Sequence, residues 1–211
     1  MPMHIVIYMA CGMVNIMVDA AKALKWLKEG NLEYINSSKN HRGDTSPEKR
    51  LHTHNHGQNP YAVVVTCSDS RVIPESIFMT GIGDIFVIRL AGNVVADFGL
   101  GSIEYAVEHL GCKLVVVMGH TMCGAIHAAI EDTHAHYISS IIKEIQFAIK
   151  DETDNTKASK INVLNTVKKI CSSNIVKEEL NNGLKVVGAM YHTHSGHVEF
   201  YKSRKSTKKA D

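Results

Sequence analysis

Apolar and polar positions divide the chain into runs of two periods. Tyr61–Thr66 (YAVVVT) and Lys113–Met118 (KLVVVM) are almost continuously apolar. Runs so short and uniform suit strands of a parallel sheet, covered on both faces. Asp84–Leu90 and Leu184–His192 predict two more strands, and Gly196–Tyr201 a fifth at the edge. Between them the period becomes helical. From Asp19, which can cap, Ala21, Leu24, Leu27 and Leu32 recur at helical spacing with lysines opposite, and Gly30 is a candidate break or kink. Pro74–Met79, Phe98–Leu110, Met122–Glu131, His136–Lys150, about Lys157–Cys171 and Asn174–Leu180 predict further helices, the second closed by Gly111. Ser37–Asn59 is polar, carries Gly43, Pro47 and Gly57, and predicts a long surface loop. Strands alternating with helices define an α/β fold, a mostly parallel β-sheet flanked by helices.

Length and composition bound this picture. The 211 residues suit one domain, taken as 19–201, with an N-terminal extension over 1–18 and a basic tail over 202–211. A net charge of +2 and sparse aromatics argue against a nucleic-acid partner. The apolar start, MPMHIVIYMACGMVNIMVD, is broken by His4 and Asn15 and has no basic residue ahead of it. It predicts neither a signal peptide nor a stable membrane span. The expected compartment is the cytoplasm; the alternative is export or a lipid anchor through this segment, on the strength of Ala10-Cys11. Five cysteines, an odd number in a long chain, point to reduced thiols or metal ligands, and thirteen histidines invite a search for metal.

Two strands end in chemistry. Tyr61–Thr66 runs into Cys67-Ser-Asp69-Ser-Arg71, and Lys113–Met118 into Gly119-His120-Thr-Met-Cys123-Gly124. Ligands of open parallel sheets gather beyond the carboxyl ends of strands. If the two strands are neighbours, Cys67, His120 and Cys123 meet at one rim. Two thiolates and an imidazole suit zinc, and three protein ligands leave the fourth position open. Cys123 would sit near a helix N-terminus, which favours thiolate. Gly124 beside it admits another segment or a substrate. Taken alone, a cysteine after a strand is more often packing, and Asp69–Arg71 an ordinary ion pair.

Together these residues carry a resemblance. CSDSRV (67–72) and GHTMCG (119–124), with GQNP (57–60), FVIRLAGN (86–93) and SIEYAVEHLG (102–111), resemble the β-class carbonic anhydrases over about residues 20 to 201. The resemblance implies a homodimer or dimer of dimers and one zinc per subunit on Cys67, His120 and Cys123. It implies reversible hydration of carbon dioxide to bicarbonate and a proton, a lyase activity. By the family pattern Asp69, kept ionised by Arg71, accepts a hydrogen bond from the nucleophile. If that pair breaks, Asp69 becomes a conditional fourth metal ligand. Gln58, nine residues before Cys67, would donate to substrate oxygen. Phe86, Tyr105 and Ala91 fall where the family lines a small apolar pocket, often with the partner subunit's help. Two positions depart from the family. Arg89-Leu90 replaces a frequent Arg-Asn, and Val64 stands where bicarbonate-regulated members have tryptophan, which implies an open resting site.

Three rival readings remain: a hydrolase of a sulfur analogue such as carbon disulfide, a zinc-stabilised interaction protein, and a hydrolase using Cys67 as nucleophile. His52, His54 and His56 look like a metal cluster but fall in the predicted loop. His192, His194 and His197 predict a turn, with one of them a candidate proton relay, and His127 a packed or exposed helix position. Cys112 and Cys171 read as inert thiols.

Overall fold

The computed structural model describes residues 17–37, 43–133 and 136–201. The expectations for residues 1–16, with Ala10-Cys11, and for the tail 202–211 lie outside the described residues. Five strands form one sheet in the order β2-β1-β3-β4-β5. They are β1 (Ala62–Thr66), β2 (Ile85–Arg89), β3 (Leu114–His120), β4 (Lys185–Tyr191) and β5 (Val198–Phe200). The first four pair in parallel, and β5 closes one edge antiparallel to β4.

Every residue of β1 and β3 is buried, as their unbroken apolar runs require. Alternate side chains feed two cores. Val64, Val116, Met118 and Ala189 pack with Ala23 and Leu27 of α1 (Ala20–Asn36) and Ile77 of α3 (Pro74–Ile77). Val63, Val65, Val115 and Val117 pack with Ile103 of α4 (Asp97–Glu108), Val163 of α7 (Asn155–Ile170) and Val176 of α8 (Asn174–Asn181). A third cluster, around α5 (Gly124–Ile130) and α6 (Ile138–Ile149), surrounds the Cys67 and Cys123 side chains. Among the described residues no helix is long and apolar enough to cross a membrane.

Two expectations fail for local reasons. Residues 37–59 are not all loop, because α2 spans Pro47–His56. Ser46 accepts the Lys49 N–H, Pro47 opens the first turn and Glu48 faces its positive end. No residue of α2 is buried, so no apolar period announces it. Nor does Gly30 break α1. A Cβ there would lie 1.9 Å from the Phe78 carbonyl oxygen, so this glycine permits close packing.

The chain places β2 on one side of β1 and then β3 on the other. That reversal opens a crevice beyond the carboxyl ends of β1 and β3.

Candidate metal centre

Cys67 follows the last residue of β1, and His120 ends β3. Thr66 is in register with Met118, so the two strands are direct neighbours. After a turn, Cys123 caps α5. The ligand atoms of Cys67, His120 and Cys123 lie within 4.8 Å of one another, and all three residues are buried.

The donor atoms are prepared for a metal. His120 Nδ1 lies 3.0 Å from the Thr121 carbonyl, which can only accept, so Nδ1 carries the hydrogen. The other ring nitrogen, Nε2, is buried and has no hydrogen-bond partner. A bare imidazole nitrogen beside two sulfurs fits zinc by donor type, and a buried polar atom without a partner would otherwise be a net cost. The Cys67 sulfur accepts the N–H groups of Gly92 at 3.2 Å and Asp69 at 3.4 Å. Its thiol is held down to about 4, first by the hydrogen bond from Cys123 and then by the neighbouring His120 ring and the two backbone N–H groups, against the opposing effect of burial. Cys123 is pushed up by the same bond to Cys67, by burial and by the Cys67 charge. The pair therefore gives up its first proton readily and its second reluctantly, and zinc would displace both.

Beside the sulfurs lies an ion pair. Asp69 Oδ1 accepts Arg71 Nε at 2.9 Å and the Arg71 backbone N–H at 3.0 Å, and Asp69 Oδ2 accepts an Arg71 terminal nitrogen at 2.8 Å. These bonds hold the Asp69 carboxyl well below the usual carboxylate range, more than its partial burial raises it. Asp69 Oδ2 is 3.8 Å from His120 Nε2, yet Asp69 stands outside the three-residue cluster. Arg71 also donates to the Met122 carbonyl at 3.0 Å, tying the β1 turn to the β3 turn.

Three positioning contacts have no signature in the sequence. Arg89 donates to the carbonyls of Cys67 at 3.2 Å and Asp69 at 2.8 Å, from the end of β2. Asn155 brackets Cys123, accepting its N–H at 3.2 Å and donating to its carbonyl at 3.1 Å. Gly92, at φ 65°, brings its N–H to Cys67, and a Cβ there would meet Ile145 Cδ1 at 2.8 Å. Each of the three joins a backbone group to a segment far away in the chain.

The remaining expected residues divide. Gly124 opens α5 beside Cys123, and a Cβ there would face open space. Gln58 precedes β1, whose five residues alone put about 16 Å between it and Cys67. Phe86 pairs with Val63, three residues short of the carboxyl rim, and its ring is 6.4 Å from that of Tyr105. One chain thus does not bring Gln58, Phe86 and Tyr105 to its own sulfurs. Ala91 begins the turn that carries Gly92. His52, His54 and His56 lie on exposed α2 rather than in a loop. His192 and His197 flank a tight turn, with His192 N–H donating to the His197 carbonyl. His127 is exposed on α5, 3.3 Å from Glu131. Cys112 is buried and its thiol is pushed up to about 12, whereas Cys171 is half-buried.

A parallel sheet with two cysteines and a histidine gathered at its switch point defines a zinc-binding α/β enzyme scaffold. A family model described as carbonic anhydrase matches residues 62–198. A carbonic anhydrase of Mycolicibacterium smegmatis is 32% identical over 189 residues, covering 84% of this chain and 91% of that protein. Carbonic anhydrase 2 of Mycobacterium tuberculosis is 45% identical over 108 residues, about half the length of either chain (51% of each). Among solved structures, the β-carbonic anhydrase of Coccomyxa, in complex with acetazolamide, is similar at 28% identity and TM-score 0.65, over 72% of this chain and 77% of that one. One from Sordaria macrospora, described as tetrameric, is similar at 26% identity and TM-score 0.67, over 74% and 88%. The chain belongs to the carbonic anhydrase family, in its β class.

Proposed function

We propose that this chain catalyses the reversible hydration of carbon dioxide to bicarbonate and a proton, with one zinc per subunit on Cys67, His120 and Cys123. The observation that carries the reading is the Arg71–Asp69 pair, whose Oδ2 lies 3.8 Å from His120 Nε2. When bound, zinc supplies Lewis acidity that makes water a competent nucleophile near neutral pH. Ionised Asp69, an acceptor only, would accept a hydrogen bond from the reacting oxygen and so turn a lone pair toward the carbon of carbon dioxide. Arg71 keeps Asp69 charged and fixes its plane through two parallel bonds. The same grip keeps Asp69 from becoming a fourth ligand. A purely structural zinc would call for a fourth fixed protein ligand, and the cluster among the described residues has three.

We further infer a homodimer or dimer of dimers whose sites draw on two chains. Gln58, Phe86 and Tyr105 lie away from the sulfurs of their own chain, β2 is a sheet edge, and Phe98 of α4 is 93% exposed beside it. In a two-fold pair, that face of one protomer meets the rim of the other. Gln58 then donates to a substrate oxygen, and the two rings form an apolar wall suited to carbon dioxide. The free cysteines among the described residues fit the reducing cytoplasm. The test is stopped-flow carbon dioxide hydration with zinc content measured on the same sample. Turnover that tracks zinc is the expected result; a zinc-replete protein without turnover would overturn the assignment.

A further inference from the structure

Helix α7 has a polar inner face. Ser159, Asn162 and Thr166 are buried, none more than 3% exposed, and the last two reach the 91–93 turn. Asn162 Nδ2 donates to the Gly92 carbonyl at 2.7 Å, and Thr166 Oγ1 to the Asn93 carbonyl at 3.3 Å. The same turn presents the Gly92 N–H to the Cys67 sulfur. Gly92 and Asn93 both have positive φ, 65° and 47°, so the turn is not one that Asn93 adopts freely. Three other polar atoms here, Asn93 Nδ2, Asn162 Oδ1 and Ser159 Oγ, are buried without a protein partner. An apolar helix face would pack here without that penalty. What the polar face secures is the pair of bonds to the turn.

We propose that Asn162, seconded by Thr166, is a positioning residue of the metal centre. It fixes the 91–93 turn so that the Gly92 N–H stays on the Cys67 sulfur and withdraws charge from it. Neither side chain touches a metal ligand; both act through the turn. Two thiolates pass much charge to a metal and blunt its acidity, and a hydrogen bond to sulfur counters this. The inference rests on the metal-centre reading given above.

Two readouts other than turnover test it: zinc affinity in competition with a chromophoric chelator, and the sulfur-to-cobalt charge-transfer band of the cobalt-substituted protein. In Asn162→Leu the band should move to longer wavelength, and zinc affinity should fall about tenfold, the lower end of the range for outer partners of metal ligands. Thr166→Val, nearly isosteric, should move both in the same direction by less. Ser159→Ala removes a hydroxyl that makes no bond to the turn and should leave both unchanged. Should Asn162→Leu fail to fold, Thr166→Val decides alone. A wild type that binds zinc and cobalt, beside folded variants with affinity within twofold and an unmoved band, overturns this proposal only. A wild type that binds neither metal overturns the metal-centre reading with it.

Discussion

Arg71 grips both oxygens of Asp69, at 2.9 and 2.8 Å, while its backbone N–H adds a third bond at 3.0 Å. A carboxylate so held cannot rotate without giving up three donors. Its charge and its direction are therefore set by one neighbour two residues away.

Asp69→Ala removes the acceptor but no sulfur or imidazole ligand. Zinc content should remain near one per chain, while the rate of carbon dioxide hydration falls on the order of a hundredfold or more. Arg71→Lys keeps the charge but not the planar fork, so a loss of roughly tenfold is expected. Stopped-flow rates with metal analysis check both, and an unimpaired Asp69→Ala would remove Asp69 from the mechanism.

Cys123→Ser exchanges a soft thiolate for a hydroxyl at the cap of α5. The purified variant should hold less than about a tenth of the wild-type zinc, since losing one of three protein ligands costs far more than losing an outer partner. Elemental analysis after dialysis measures it.

The metal-free chain should show a stability maximum with respect to pH that arises from its two facing sulfurs. Cys67 has a folded pKa of about 4, below the ordinary thiol value of ~8.5, so its contribution is complete above ~8.5 and fades as pH falls toward 4. Cys123 is raised, so its contribution is complete below ~8.5 and fades as pH rises. The stability difference between metal-free wild type and Cys67→Ala/Cys123→Ala should thus rise with pH up to ~8.5 and then fall. Urea unfolding across pH 5 to 10 tests the sign of both limbs, and a flat difference contradicts the shared proton.

Gly30→Ala tests the close approach of α1 to α3. The added methyl would sit 1.9 Å from a backbone oxygen, which cannot swing aside as a side chain can. A destabilisation of about 1–3 kcal/mol is expected from overpacking, read from the urea midpoint.

Mixing tests the two-chain site. Gln58→Ala and Cys123→Ser protomers are each defective in a different half of the site. If protomers exchange at random within two-fold pairs, roughly a quarter of all sites combine the intact halves. Activity in the mixture should exceed the sum of the separate variants toward that fraction, and a strictly additive mixture argues for sites built within one chain.

Strands β1 and β3 were legible because both their faces are covered, which leaves an unbroken apolar run. Helix α2 was not: it buries nothing, and only the Ser46-Pro47-Glu48 start betrays it. Cys67, His120 and Cys123 could be read from sequence because each lies at a strand end or within three residues of one, where the fold class alone locates ligands. Arg89, Asn155 and Asn162 could not, since each works by holding a backbone group of another segment, and a backbone group has no letter of its own. Gln58 shows a third case. Its chemistry was legible, and so was the strand that separates it from Cys67, but which chain's sulfurs it serves is not written in either.

The pairing of Thr66 with Met118 has one last consequence. A ladder displaced by a single step would shift Cys67 by about 3.3 Å along β3 relative to His120 and exchange the two faces of β1 between its cores. Such a misaligned chain could keep most of its helices and much of its interior, yet it could not retain zinc. Zinc retention therefore proofreads the alignment of the two central strands, and a chelator, by withdrawing an ion that only the correctly aligned chain can hold, removes that bias.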